Sequence, residues 1–169
     1  GIISNLLLSD KLSTPYTDLE LSEISMPRLM EKVKRMFPDT NNEIKIIGKI
    51  PNVIIEVDEL KMMLAIRNLL DNAIKYSQSA KKACEISFAI ADNDLHISIL
   101  DYGDGIKKED IPKLTDPFYR ANKEHNIKGF GIGLTIVKKV IEAHKGKLII
   151  NSKHSEGSTF TLKLNIKVE

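Results

Sequence analysis

The sequence predicts a two-layer α/β sandwich in which a mixed sheet packs on about three helices. Three observations predict it. Apolar residues recur at three- and four-residue spacing in three stretches, short β-branched or strictly alternating runs lie between and around those stretches, and no internal repeat or low-complexity segment intervenes. At 169 residues, with 42% apolar and 28% charged side chains, the chain suits one domain with a real core. A net charge of +2 is too small to argue for a nucleic-acid or anionic-membrane partner. No run approaches the 18 or so consecutive apolar residues of a membrane span, and no signal-peptide pattern opens the chain. The single cysteine, Cys84, has no partner for an internal disulfide and reads as a small buried side chain in a reducing, cytoplasmic setting.

Taken in order, residues 2–12 read as the end of a helix, stopped by Pro15 because proline disfavours the helical conformation of its predecessor. The chain opens at Gly1 rather than Met and is expected to be a fragment cut inside that helix. A strand is expected at 19–24. Ser25 is a good N-cap and Pro27 falls in the first turn of an amphipathic helix running through Phe37 to Pro38. The runs 44–50 and 53–57 are expected to pair as a hairpin across Pro51 and Asn52, and Asp58 caps the helix that follows. Residues 86–90 and 95–99 alternate across Asp92, Asn93 and Asp94, which predicts a hairpin with one buried face whose second strand delivers Asp101. An irregular stretch at about 113–130 is longer than connections usually are without function and reads as a lid. A helix to about His144, ended by Gly146, and strands at 148–151 and 160–166 complete the chain.

Chemistry concentrates at three places. Asn68, Asn72, Lys75 and Tyr76 are spaced i, i+4, i+7 and i+8 and share one helical face, opposite an apolar stripe of Met62, Met63, Ile66, Leu69, Leu70, Ala73 and Ile74. An amide oxygen such as that of Asn72 suits Mg²⁺, which takes only one or two protein ligands beside phosphate oxygens and water, and Lys75 can neutralise a phosphate. Asp101, Gly103 and Gly105 combine a strand-end carboxylate, an acceptor for an exocyclic amine, with glycines that allow close ligand approach. Gly129, Gly131 and Gly133 precede an apolar-periodic helix whose free N–H groups and dipole favour phosphates. This suits an ATP site built without a P-loop.

These residues, with Asp116, Phe118 and Arg120, resemble the N box, the two glycine boxes and the F box of sensor histidine kinases. The resemblance is to their ATP-binding catalytic domain, in the wider family shared with gyrase, Hsp90, MutL and the anti-sigma-factor kinases. It covers nearly the whole chain, and four motifs in fixed order are far more specific than one glycine-rich string. Within the family the phrasing is similar to ArsS-type kinases, a likeness that no single motif carries. The resemblance implies a Bergerat-type ATP-binding fold over 14–169, with 1–13 the end of an upstream dimerisation and phospho-acceptor helix. It implies Mg-ATP as ligand, with Asn72 on the metal, Asn68, Lys75 and Arg120 at the transferred phosphate, and Lys123 and Lys128 as further lid cations. It implies Asp101 on the adenine, with Tyr76, Gly103, Gly105 and Ile106 around it, Phe118 packing where the lid is anchored, Gly129, Gly131, Gly133 and Leu134 at the phosphates, and Ser158 and Thr159 as a third, weaker box.

None of the four histidines reads as a phospho-acceptor: His96 alternates outward, His125 lies in the lid, His154 in a turn, and His144 at a helix C-terminus where a cation is favoured. The resemblance therefore implies a substrate histidine in the absent upstream domain, a response-regulator receiver as second partner, and a homodimeric full-length protein anchored in the inner membrane, with the fragment itself monomeric. Two alternatives stay open: a hydrolytic or serine-directed relative, and a nucleotide-sensing module without kinase activity. In the hydrolytic relatives a Glu stands four residues before the metal-binding Asn; here that position is Asn68, and Asp71 is rotated about 100° from the face of Asn72.

Overall fold

The computed structural model describes residues 18–37, 43–116, 132–153 and 155–166, in which β1 (Ser22–Ser25), α1 (Met26–Lys34), β2 (Ile44–Ile47), β3 (Ile54–Val57), α2 (Glu59–Ser77), β4 (Cys84–Ala91), β5 (Asp94–Asp101), α3 (Ile132–Ala143), β6 (Lys147–Lys153) and β7 (Gly157–Asn165) follow one another. Five strands form one sheet in the order β2-β4-β5-β7-β6, with β2 parallel to β4 and every other pair antiparallel. The mixed two-layer sandwich is as the sequence predicted. Its core lies between the helices and one sheet face, where Ile86, Leu95, Ile97, Ile99 and Leu162 meet Leu69 and Leu70 of α2 and Val137 and Ile141 of α3. Cys84 opens β4 fully buried, and burial pushes its thiol up to about 12. The helix expected at 2–12 and most of the expected lid lie outside the described residues.

The predicted hairpin over 44–57 does not form. β2 pairs with β4, while β3 pairs with β1 in a separate two-stranded sheet. A tight hairpin turn needs left-handed backbone. Pro51 is held at negative φ, and Asn52 is not left-handed either. Burial then separates the runs: Ile44 and Ile46 align with Cys84 and Ile86 along the main sheet, whereas Ile55 and Val57 bury beside α1. The β4–β5 hairpin does form, with Asp92 and Asn93 at φ 53° and 65°, the paired left-handed residues of a two-residue I′ turn.

Ser25 caps α1 as expected, its hydroxyl accepting the Arg28 N–H at 3.3 Å. The α-helix ends at Lys34 rather than Phe37. Met36 and Phe37 donate instead to the carbonyls of Val33 and Lys34, an i→i−3 tightening of the last turn before Pro38. Asp58 caps α2 by accepting the Lys61 N–H at 3.2 Å. Among the described residues no helix is long and apolar enough to cross a membrane.

His144 departs from its expected role. Its Nδ1 lies 2.7 Å from the Val140 carbonyl, which requires Nδ1–H, and its Nε2 accepts the backbone N–H of Asp58 at 3.0 Å. Both bonds are made only by the neutral ring. Burial, the largest influence, pulls the imidazole below its ordinary value, opposed by the Val140 carbonyl and the Asp58 carboxylate and assisted by Lys61. The C-terminal end of α3 is thereby tied to the N-cap of α2, so the helix pair is fixed at the end remote from the site.

Candidate functional site

α2 packs on the sheet and, along its flank, against α3, which lies on the sheet beside it, so α2 is buried on more than the one apolar stripe. Its polar residues separate accordingly. Lys75 and Tyr76 are exposed and Asn72 is half-buried. Asn68 is buried at 6% exposure, its amide donating to the Leu64 carbonyl at 2.9 Å, while its Oδ1 faces Gly133 in the first turn of α3. A Cβ on Gly133 would come within 3.2 Å of that oxygen. The sequence placed Asn68 on the presented stripe. The structure turns it inward, and the first and third chemical motifs meet there.

The second motif meets the same helix one turn beyond Asn72. Asp101 ends β5 almost completely buried, and its Oδ1 accepts the Gly103 N–H at 2.9 Å. Burial raises its carboxyl to about 6, against the Gly103 and Ser158 N–H groups, which lower it. An acid held there is costly to ionise and strongly attractive to a donor. A Cβ on Gly103 would lie 3.0 Å from the Tyr76 Cβ and backbone oxygen and 3.1 Å from Asp101 Oδ1, so only glycine lets Tyr76 and Asp101 approach across it without displacement. Gly105 has φ +75°, a conformation that glycine alone adopts freely. Ile106 packs half-buried against the core.

β7 forms the wall beside Asp101. Ser158 aligns with Asp101 and faces the same side, whereas Thr159 aligns with Leu100 and so faces away from Asp101. Leu134 is buried in the core. Phe118, Arg120, Lys123, Lys128, Gly129 and Gly131 lie outside the described residues.

Three site residues escaped the sequence reading. Ser77 is buried, and its hydroxyl accepts the Tyr102 N–H at 3.0 Å, joining the end of α2 to the glycine loop. Gly157 has φ +93°, and a Cβ on it would press on the Asp101 carbonyl closer than the 3.0 Å that real Cβ atoms keep. Ser152 of β6 accepts the Ile106 N–H at 2.7 Å. The glycine that opens β7 was a visible signal; the two serines gave none. Among the described residues no group of three or more His, Cys, Asp or Glu is placed to cage a metal ion.

A buried strand-end carboxylate beside a glycine loop is thus set against a helix carrying amides and an ammonium, within a two-layer α/β sandwich. The family model of histidine kinase-, DNA gyrase B- and HSP90-like ATPases matches residues 57–168, and the chain belongs to that family. It is 30% identical over 177 aligned positions to the sensor histidine kinase WalK of Bacillus subtilis, a match covering 99% of this chain and 28% of that protein. It is 40% identical over 116 positions to the sensor protein RprX of Bacteroides fragilis, covering 67% and 22%. The chain thus spans less than a third of either relative. Among solved structures, the histidine kinase AdeS of Acinetobacter baumannii superposes with a TM-score of 0.74 at 24% identity, over 98% of this chain and 77% of that one. Full-length ShkA in complex with AMPPNP gives 0.79 at 19% identity, over 99% and 36%. The nucleotide-free catalytic domain of ThkA gives 0.71 at 22%, over 87% and 98%. At these identities the likeness bears on the fold.

Proposed function

We propose that this chain is the ATP-binding catalytic domain of a two-component sensor histidine kinase, with residues 14–169 forming the domain and 1–13 ending an upstream phospho-acceptor helix. The reading is supported above all by one observation, the buried Asp101 carboxylate held beside Gly103 against the Tyr76 end of α2. In this reading Asp101 accepts from the adenine amine, Asn72 contributes its amide oxygen to Mg²⁺, and Lys75 neutralises phosphate, joined by Arg120, Lys123 and Lys128. Bound magnesium would supply charge neutralisation at the phosphate oxygens.

The chain's own part is positioning and charge stabilisation. An imidazole with a pKa near 6.5 is largely neutral at pH 7 and already nucleophilic, so a histidine nitrogen of the upstream domain attacks the γ-phosphorus, the bond to the β–γ bridging oxygen breaks, and ADP leaves. This chain need supply no general base, and the proton on the other ring nitrogen passes to water. A hydrolytic or serine-directed relative would need one, and the neighbouring carboxylate is poorly disposed for it. Asp71 is held in an i,i+4 ion pair with Arg67 at 3.7 Å, and it is rotated about 100° from the face of Asn72. Phosphotransfer onward to a receiver-domain aspartate, and dimerisation through the upstream helices, belong to the same proposal.

Joined to its upstream helices in the full-length protein, the domain is expected to pass label from γ-³²P-ATP to a histidine. By itself it should hydrolyse ATP far below the roughly 1 to 1,000 per second of ordinary enzymes. Turnover in that range by the isolated chain, or label on serine, would mark it as the hydrolytic or serine-directed relative instead.

A further inference from the structure

The β6–β7 hairpin grips the glycine loop at three points. The Ser155 N–H donates to the Asp104 carbonyl, the Ile106 N–H donates to Ser152 Oγ at 2.7 Å, and Gly157 backs so closely on the Asp101 carbonyl that an added Cβ would collide with it. Ser152 is the centre of this grip. Its oxygen also lies 2.8 Å from Ser158 Oγ and 3.1 Å from the Gly157 carbonyl. A hydroxyl has one proton, so one arrangement satisfies all these contacts. Ser152 donates to Gly157 and accepts from Ile106 and Ser158, which fixes the Ser158 rotamer beside Asp101 and leaves the Ser158 oxygen lone pairs for a further donor.

We propose that Ser152 is a positioning residue for nucleobase recognition: through Ile106 N–H and Ser158 Oγ it locks the loop 101–106 at the distance from β7 at which Asp101 can read an adenine amine. The inference rests on the nucleotide reading above. Among the described residues the hydrogen bonds of Ser152 go to Ile106, Gly157 and Ser158, on the Asp101 side of the site, so its influence should fall on the base and not on the triphosphate. Alanine at 152 would release the half-buried Ile106 amide and the buried Ser158 hydroxyl together, leaving both to find other partners. Threonine would keep the hydroxyl.

The test is competition binding of AMPPNP and of its guanine counterpart GMPPNP to wild type, Ser152→Ala and Ser152→Thr in the presence of magnesium, with amide exchange at Ile106 followed in parallel. Ser152→Ala is expected to weaken AMPPNP about tenfold and GMPPNP by less than about threefold, with faster exchange at Ile106, and Ser152→Thr to restore the adenine preference. Unchanged AMPPNP binding in Ser152→Ala, or equal weakening of both nucleotides, would overturn the inference and leave the nucleotide reading intact. A wild type that binds neither nucleotide would overturn both.

Discussion

Asp101→Asn is expected to stabilise the fold while removing its affinity for adenine nucleotides. The wild-type carboxyl is nearly fully buried and raised to about 6, against about 3.9 in an unfolded chain. A group raised on folding holds its proton more tightly in the native state. Its contribution to stability is therefore full below about pH 4 and is lost as pH rises through about 6, and at pH 8 the buried charge costs about 3 kcal/mol relative to its protonated form. Asparagine removes the charge and keeps an oxygen for the Gly103 N–H, so a gain of about 1 to 3 kcal/mol is expected at pH 8, shrinking toward zero near pH 4. His144, whose pKa is lowered on folding by burial, contributes to the pH dependence with the opposite sign. The difference between variant and wild type cancels it. For nucleotide binding, an amide nitrogen would face the adenine amine donor to donor, and the loss should be at least about tenfold, the scale of one charge-assisted hydrogen bond. Urea unfolding at pH 4, 6 and 8, with nucleotide titrations alongside, measures both halves. A variant no more stable than wild type at pH 8 would mean that Asp101 is not held at a cost.

Gly157→Ala should do the reverse and damage fold and site together. At φ +93° an L side chain is strained wherever it points, and this Cβ would also collide with the Asp101 carbonyl, which is backbone and has no rotamer to swing away. Either β7 or the glycine loop must move. The expected cost is about 3 kcal/mol, beyond the usual surface substitution, and Asp101 would be displaced from its bond to Gly103. Urea denaturation at pH 7 reads this directly; a variant within about 0.5 kcal/mol of wild type would contradict the close approach of β7 to Asp101.

How far the sequence carried these conclusions differs by element, and the difference is physical. α2 and the β4–β5 hairpin were legible because their burial follows a clean period and their ends carry local signals, the Asp58 cap and the left-handed pair Asp92 and Asn93. The hairpin over 44–57 was misread because two adjacent β-branched runs look alike whichever strands they pair with; their partners, β4 and β1, lie elsewhere in the chain. Asn68 was placed on a solvent-facing stripe because a helical wheel knows nothing of α3 packing over it. His144 was read by its helix end alone, and the deciding contact, the Asp58 N–H, is 86 residues away. Asp101, Gly103 and Gly105 could be singled out from sequence because their signal is local, the Gly103 N–H bond to Asp101 spanning two residues. Ser77 and Ser152 were not, since their bonds span 25 and 46 residues and an isolated serine has no pattern.

Calorimetric titration of AMPPNP into the wild-type chain and Asn72→Ala, each with magnesium and again with EDTA, tests the central claim most directly. Saturable binding by the wild type that weakens about tenfold or more without magnesium, and that loses this magnesium dependence in Asn72→Ala, is the predicted result. No binding by the wild type, or binding equally tight in all four titrations, would contradict it.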